Sequence, residues 1–159
     1  MMSVDADTFR SVLGRFASGV TIVTTLGRDG RDLGMTVTSF CSLSLEPPLV
    51  LICIDKTAAM YDTFASAPRF IVQILSESQE AIARRFSGPD PNRFDGIGYV
   101  REAGGIAIID EILAYIHCRR VDAHQAGDHS IYIGEVEEAV VYEGRPLLRY
   151  RSGYAQLER

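Results

Sequence analysis

The chain has 159 residues and a mass of 17.5 kDa, 47% of it apolar and 23% charged, with 16 basic and 21 acidic residues and a net charge of −5. That length implies one domain, 1–159, large enough to bury a core without disulfides or a structural metal. The composition excludes a disordered chain, and the absence of a basic stripe excludes a bare nucleic-acid binder. No apolar run approaches the roughly 20 residues of a membrane-spanning helix, and residues 1–18 hold no apolar signal core, so no membrane association and a cytoplasmic location are expected.

The first predicted element is a short amphipathic helix. Asp5 or Asp7 caps it, Phe9, Val12, Leu13 and Phe16 recur at helical spacing, and Gly19 stops it. Val20–Thr25 and Met35–Leu43 flank the turn Gly27-Arg28-Asp29-Gly30, so 20–43 reads as a β-hairpin. Pro47-Pro48 is a breaker, and the apolar run Leu49–Asp55 reads as a strand buried on both faces. A short helix over 58–66 ends before Pro68, and Phe70–Leu75 is a strand. Ser78–Phe86 is a helix capped by Ser76 or Ser78. The Gly- and Pro-containing stretch 87–98 is a loop, of a length that often marks a binding loop or an interface. Leu113–Val121 and Ile131–Tyr142 are long strands joined by a turn at Gly127-Asp128, followed by short strands Leu147–Tyr150 and Tyr154–Leu157. About seven strands and three helices, with strands following strands through short turns, imply a mostly β protein: an antiparallel sheet closed into a barrel, with peripheral helices. No G-x-G-x-x-G or P-loop motif is present.

Four segments carry candidate chemistry. Thr36-Val37-Thr38-Ser39, with further hydroxyls at Ser42 and Ser44, can form a cradle of amides and hydroxyls for a neutral heteroaromatic ring; an edge strand with solvated hydroxyls would read the same way. Cys53-Ile54-Asp55-Lys56-Thr57 reads as a strand end opening into a helix. There the only lysine of the chain and a threonine would make an anion site, the alternative being a simple cap at Thr57 beside a solvated lysine. Arg84-Arg85-Phe86 ends a helix, where arginine is also favoured by the helix dipole alone. Gly127-Asp128-His129 puts a histidine at a hairpin mouth, as a ligand contact, a pH switch or a solvated turn residue. Cys41, Cys53 and Cys118 show no metal-ligand spacing, nor do the three histidines, so no metal is expected.

In this order and spacing the segments resemble the short-chain flavin reductases, the reductase components of two-component flavin-dependent monooxygenases. The likeness spans about 9–157. It runs through Arg15–Thr24, Gly34–Pro48 with its Ser-Leu-Ser-x-x-Pro-Pro, the Pro-Pro-Leu-Val strand, Arg85-Phe86, Cys118, Gly-Asp-His-x4-Gly-Glu-Val at 127–136 and Gly153-Tyr154. Gly105-Ile106-Ala107 stands where many members carry Gly-x-Pro, which leaves the path of 87–110 open. The resemblance implies an FMN-binding split β-barrel with a Greek-key-like antiparallel arrangement, usually a homodimer with its sites near the subunit interface. It implies an NAD(P)H:flavin oxidoreductase that reduces FMN or FAD with NADH, or with NADPH, and passes reduced flavin to a separate oxygenase. The alternative is a non-catalytic split-barrel flavin binder, a redox sensor or carrier. By the same resemblance Thr36, Val37, Thr38 and Ser39 line the isoalloxazine and ribityl chain. Cys53, Ile54, Asp55, Lys56 and Thr57 wrap the phosphate, Arg85 and Phe86 close that side, His129 orients the nicotinamide as the catalytic-site residue, and Tyr154 packs the pocket. Neither the preferred flavin nor the oxygenase is named by these residues.

Overall fold

A computed structural model describes residues 3–102 and 104–158. Seven strands form one antiparallel sheet: β2 (Thr21–Leu26), β3 (Asp32–Val37), β4 (Phe40–Leu45), β5 (Pro48–Asp55), β6 (Arg69–Ile74), β9 (Ala114–Ala126) and β10 (His129–Val141), in the order β3-β2-β6-β9-β10-β5-β4. A three-stranded sheet pairs β1 (Ser18–Gly19), β11 (Leu147–Tyr150) and β12 (Gly153–Gln156), and β7 (Tyr99–Arg101) pairs with β8 (Ala107–Ile109). The helices are α1 (Ala6–Leu13), α2 (Tyr61–Ser66) and α3 (Glu80–Ser87), the last preceded by a 3-10 turn over Glu77–Gln79 in a capping box with Ser76. Among the described residues no helix is long and apolar enough to cross a membrane.

β3 and β4 are the two edges of the seven-stranded sheet, yet only Thr38 and Ser39 connect them. A flat sheet would hold these edges about 29 Å apart at roughly 4.8 Å per strand, while the chain from Val37 to Phe40 spans at most about 11 Å. The sheet therefore curls until its edges nearly meet, a barrel left split between β3 and β4. The expected continuous strand Met35–Leu43 is thus broken at Thr38-Ser39, because the two halves belong to opposite edges.

The barrel interior is one core cluster, with Val37, Val50, Ile52, Ile54, Phe70 and Tyr132 at its heart and Phe64 of α2 packed among them. A second cluster lies outside β2, β6 and β9, where α3, β8 and β11 cover the sheet with Phe86, Ile108, Ile109 and Leu147. Hence β2 and β6 are buried on both faces despite carrying Thr24 and Gln73. These two polar side chains form a closed network: Gln73 Nε2 donates to Thr24 Oγ1 and Ala107 O, Thr24 Oγ1 donates to Ala107 O, and Gln73 Oε1 accepts from Ile109 N.

β5, the most apolar run of the chain, is by contrast buried on one face only. Val50, Ile52 and Ile54 point inward, and Leu49, Leu51 and Cys53 are half-buried on the outer face beside Ile131 and Ile133 of β10. The expectation of burial on both faces fails because, among the described residues, no element covers that side. α1 forms behind its Asp5 cap but ends at Gly14 rather than Gly19, and Phe9, Val12, Leu13 and Phe16 remain exposed. β7 and β8 occupy the stretch whose path was open. The 87–98 segment is a loop, and it folds back on its own chain: the Phe94 ring meets Phe86 edge-to-face at 5.0 Å.

Candidate functional site

Three of the four candidate segments converge where the split barrel closes. Ser39 is the last residue of the two-residue crossing, and Cys53 N donates to its carbonyl at 3.0 Å while Ser39 Oγ donates to Cys53 O at 2.8 Å. The β9–β10 turn joins from the other side. Gly127, at φ 63, takes the left-handed conformation that a two-residue hairpin needs. The turn is tied to the end of β5 by two bonds: Lys56 N donates to Asp128 O at 2.9 Å and Lys56 Nζ to Gly127 O at 2.8 Å. His129 pairs with Asp55 across β10 and β5, so Ser39, Cys53, Asp55, Lys56 and His129 form one rim.

The helix start expected at Thr57 is absent. α2 begins at Tyr61; 55–58 is a turn in which Ala58 N donates to Asp55 O at 3.0 Å, the Asp55 carboxylate accepts from Thr57 N and Thr57 Oγ1 at 2.8 Å, and Lys56 N is held by Asp128 O of the hairpin turn. The backbone N–H of Thr57, then its hydroxyl, hold the Asp55 carboxyl below its ordinary value. The helix-dipole part of the proposed anion site therefore does not form, and Lys56 stands at the hairpin turn rather than at a helix N-terminus.

The hydroxyls of the first segment are partly committed. Thr36 Oγ1 donates to Ala83 O of α3 at 2.6 Å, as Ser39 Oγ does to Cys53 O. Each oxygen can still accept, so both suit ligand hydroxyl or N–H donors. Thr38 is exposed. Val37 and Ile54 are corrected as side-chain contacts: both point into the barrel, at 4% and 0% exposure, and can present only backbone to a ligand. Phe86 is fully buried in the second core cluster. The Cys53 thiol is pushed up by burial and by the nearby Cys41, which keeps it a neutral contact rather than a nucleophile.

Arg85 lies beside the loop. Its Nη2 donates to Asn92 O at 2.7 Å, its Nε is 3.8 Å from Asp90 Oδ2, and that buried Nε has no hydrogen-bond partner. Tyr154 is placed elsewhere. It belongs to the three-stranded sheet and packs against the second cluster, flanked by the guanidiniums of Arg84 and Arg149 at 4.9 and 4.8 Å from its ring centroid. Its expected packing against a nicotinamide pocket beside His129 is not seen within this chain.

His129 is 40% exposed in its side chain, and its Nδ1 lies 2.7 Å from Asp128 Oδ1. A carboxylate can only accept, so Nδ1 carries the shared proton and the neutral ring offers Nε2 as an acceptor. Two features had no readable sequence signal. Arg93 reaches Gly34 O, Gly88 O and Asp90 O from the 87–98 loop, at 2.8, 2.6 and 3.2 Å. Tyr61 and Ser130 share a hydroxyl hydrogen bond of 2.7 Å just inside the rim. An arginine in an aperiodic Pro- and Gly-rich loop has nothing in the sequence to say what it faces.

Next to the rim, beginning at Thr36 and Ala58, a groove runs along β3, an edge strand of the sheet. Its first part, about 490 Å³, lies between Met35, Thr36, Ala58, Met60, Gly88 and Arg93. Gly34 is required beneath it, since a Cβ there would stand 2.8 Å from the Phe86 ring. Exposed and half-buried hydroxyls, an amide-bearing turn, a carboxylate-locked histidine and an arginine with a spare buried N–H suit a ligand that is part flat ring and part phosphate. Among the described residues no cluster suited to hold a metal ion occurs.

The chain matches the flavin reductase like domain over residues 13–158. It is 40% identical over 158 residues to the reductase subunit HsaB of a flavin-dependent monooxygenase from Mycobacterium tuberculosis, covering 98% of this chain and 84% of that protein. It is 37% identical to a flavin reductase (NADH) of Kitasatospora aureofaciens, covering 96% and 82%. A crystal structure of nitrilotriacetate monooxygenase component B from Mycobacterium thermoresistibile superposes with TM-score 0.91 at 41% identity, over 96% of this chain and 86% of that one. An NADH:FAD oxidoreductase from Streptomyces globisporus, solved with NAD and FAD fragments, gives TM-score 0.91 at 34% identity over 99% and 98%.

Proposed function

The chain belongs to the flavin reductase like family, and from that premise we propose that it is an NADH-dependent flavin reductase, acting as one domain, that hands reduced flavin to a separate monooxygenase. The observation that carries the reading is the rim itself: Thr38-Ser39, Cys53–Thr57 and Gly127–His129 are far apart in sequence and meet at the barrel's split. When bound, a flavin supplies the ring that takes a hydride from NADH. The Ser39 and Thr36 oxygens and the backbone of 37–38 hold its ring and ribityl hydroxyls, and Arg85 with the Lys56 amine supplies positive charge for a phosphate. His129, locked by Asp128, offers Nε2 to a nicotinamide carboxamide N–H and so sets the nicotinamide ring over the flavin face.

The same reading includes a homodimer. Leu49, Leu51, Ile131 and Ile133 form an apolar outer face that ends at Cys53 and His129, and the apolar side of α1 is uncovered as well. A second copy on the β5–β10 face would bury it and wall the rim. The test of the function is NADH oxidation measured with no flavin and with FAD, FMN and riboflavin in turn. Oxidation that requires flavin is expected, and no oxidation with any of the three rejects the reading.

A further inference from the structure

The groove along β3 extends beyond Thr36. A second cavity of about 230 Å³ adjoins the first, sharing Ala59, Met60, Pro89 and Arg93 with it, and reaches Arg31 and Leu33. From Thr36 to Arg31 the strand covers about 16 Å at roughly 3.3 Å per residue. The groove thus leads away from Thr36 for the length of most of a strand.

Its charge is uneven. Two carboxylates, Asp32 and Asp90, line the second cavity. Asp32 is neutralised from outside by Arg101, whose Nη1 and Nη2 each donate at 2.7 Å, and Asp90 lies 3.8 Å from Arg85. Arg31 and Arg93, which also line the cavity, take part in no ion pair among the described residues. Arg93 spends one hydrogen on each of Gly34 O, Gly88 O and Asp90 O, so two of its five N–H groups remain. Its burial disfavours the charged form, a cost that a bound anion would offset.

We propose that this groove is a subsite for the adenosine diphosphate half of a dinucleotide flavin, with Arg93 on the diphosphate and Arg31 at the far end, so that the protein selects FAD over FMN. The inference rests on the flavin reductase reading and adds to it the substrate that the reading leaves open. The diphosphate needs a cation with free N–H groups, which Arg93 supplies, and the adenosine needs a trough with apolar walls, which Met60, Pro89 and Pro91 with Phe94 provide. The nicotinamide cofactor also carries an adenosine diphosphate, but the groove opens at Thr36, on the flavin tail's side of the rim, and not at His129.

The experiment is titration of the whole protein with FAD, FMN and riboflavin, followed by fluorescence, with ADP as a competing probe. FAD is expected to bind at least tenfold more tightly than FMN, and ADP to compete with FAD. Arg31→Glu, at an exposed position that carries no core packing, should bring the FAD-to-FMN affinity ratio at least fivefold closer to one. Arg93→Lys, which keeps the charge and loses the fork, should shift the ratio the same way. Equal affinity for FAD and FMN in the wild type overturns this subsite and leaves the reductase reading standing. So does ADP that competes with NADH and not with FAD, or a ratio unmoved by Arg31→Glu. Failure of all three flavins to bind overturns the reductase reading and this inference with it.

Discussion

Replacing His129 with alanine tests the rim most directly. Its ring sits at the end of β10 opposite Asp55, with Nδ1 held at 2.7 Å by Asp128 and with 40% of the side chain exposed. In so wet a position one neutral hydrogen bond from Nε2 and the ring contact that accompanies it are together worth about 1–2 kcal/mol. His129→Ala should therefore lower kcat/KM for NADH roughly five- to thirtyfold. Asp128→Ala keeps the ring and frees its rotation, a loss of about 0.5–1 kcal/mol, so the fall should be roughly two- to fivefold. Dissociation constants for flavin should change by less than about twofold in both variants, because the flavin side of the rim is built from Ser39 and the backbone of β5. Anaerobic stopped-flow reduction of bound flavin at several NADH concentrations reads the NADH dependence, and fluorescence titration with flavin reads the dissociation constants. Two results refute the positioning role. One is an unchanged NADH dependence in His129→Ala. The other is a collapse of the hydride-transfer rate by several orders of magnitude, which orientation by a single half-exposed contact cannot supply.

The remaining expectations are briefer. Lys56→Met removes both the 2.8 Å bond to Gly127 O that braces the His129 turn and the positive charge offered to the phosphate, so KM for NADH should rise a few fold and FMN should weaken more than riboflavin; in flavin titrations, equal losses for FMN and riboflavin would show that the amine only braces the turn. Gln73→Met leaves Ile109 N–H without its acceptor in a fully buried site, which should cost about 2 kcal/mol in urea unfolding, and a change under about 0.5 kcal/mol would show that the network relaxes. Leu51→Glu places a charge on the uncovered apolar face and should convert a dimer to monomers by light scattering; a wild type that is monomeric and fully active removes the dimer from the reading. Cys118, whose thiol burial pushes up to about 12, should resist alkylation until the protein unfolds, while exposed Cys41 reacts faster in Leu51→Glu than in the wild type.

How much of this could be read from the chain depends on whether the deciding interaction was local. The β-branched runs at 20–25, 49–55 and 70–75 made their strands legible, and the Gly127-Asp128 turn made its hairpin legible, because pattern and turn chemistry act over a few residues. Which faces those strands bury was not legible. Thr24 and Gln73 sit in strands covered on both sides because they satisfy one another and β8, whereas Leu51 looks like core and is only half-buried, because among the described residues no element packs on the outer face of β5. A non-local tie accompanies the missing helix start: β5 stays paired to Asp55, and Lys56 N–H goes to Asp128 O of the β9–β10 turn, so the chain leaves the sheet only after Lys56. The site shows the same division. Its three rim segments were legible one by one, but their meeting follows from a global constraint, the two-residue link that forces opposite sheet edges together at Thr38-Ser39. That constraint also explains why the groove begins there. A split barrel leaves β3 unpaired along its outer edge, and an unpaired edge with carbonyls at Gly34 and a guanidinium from the 87–98 loop is both a gap in the fold and the natural berth for a long, charged ligand tail.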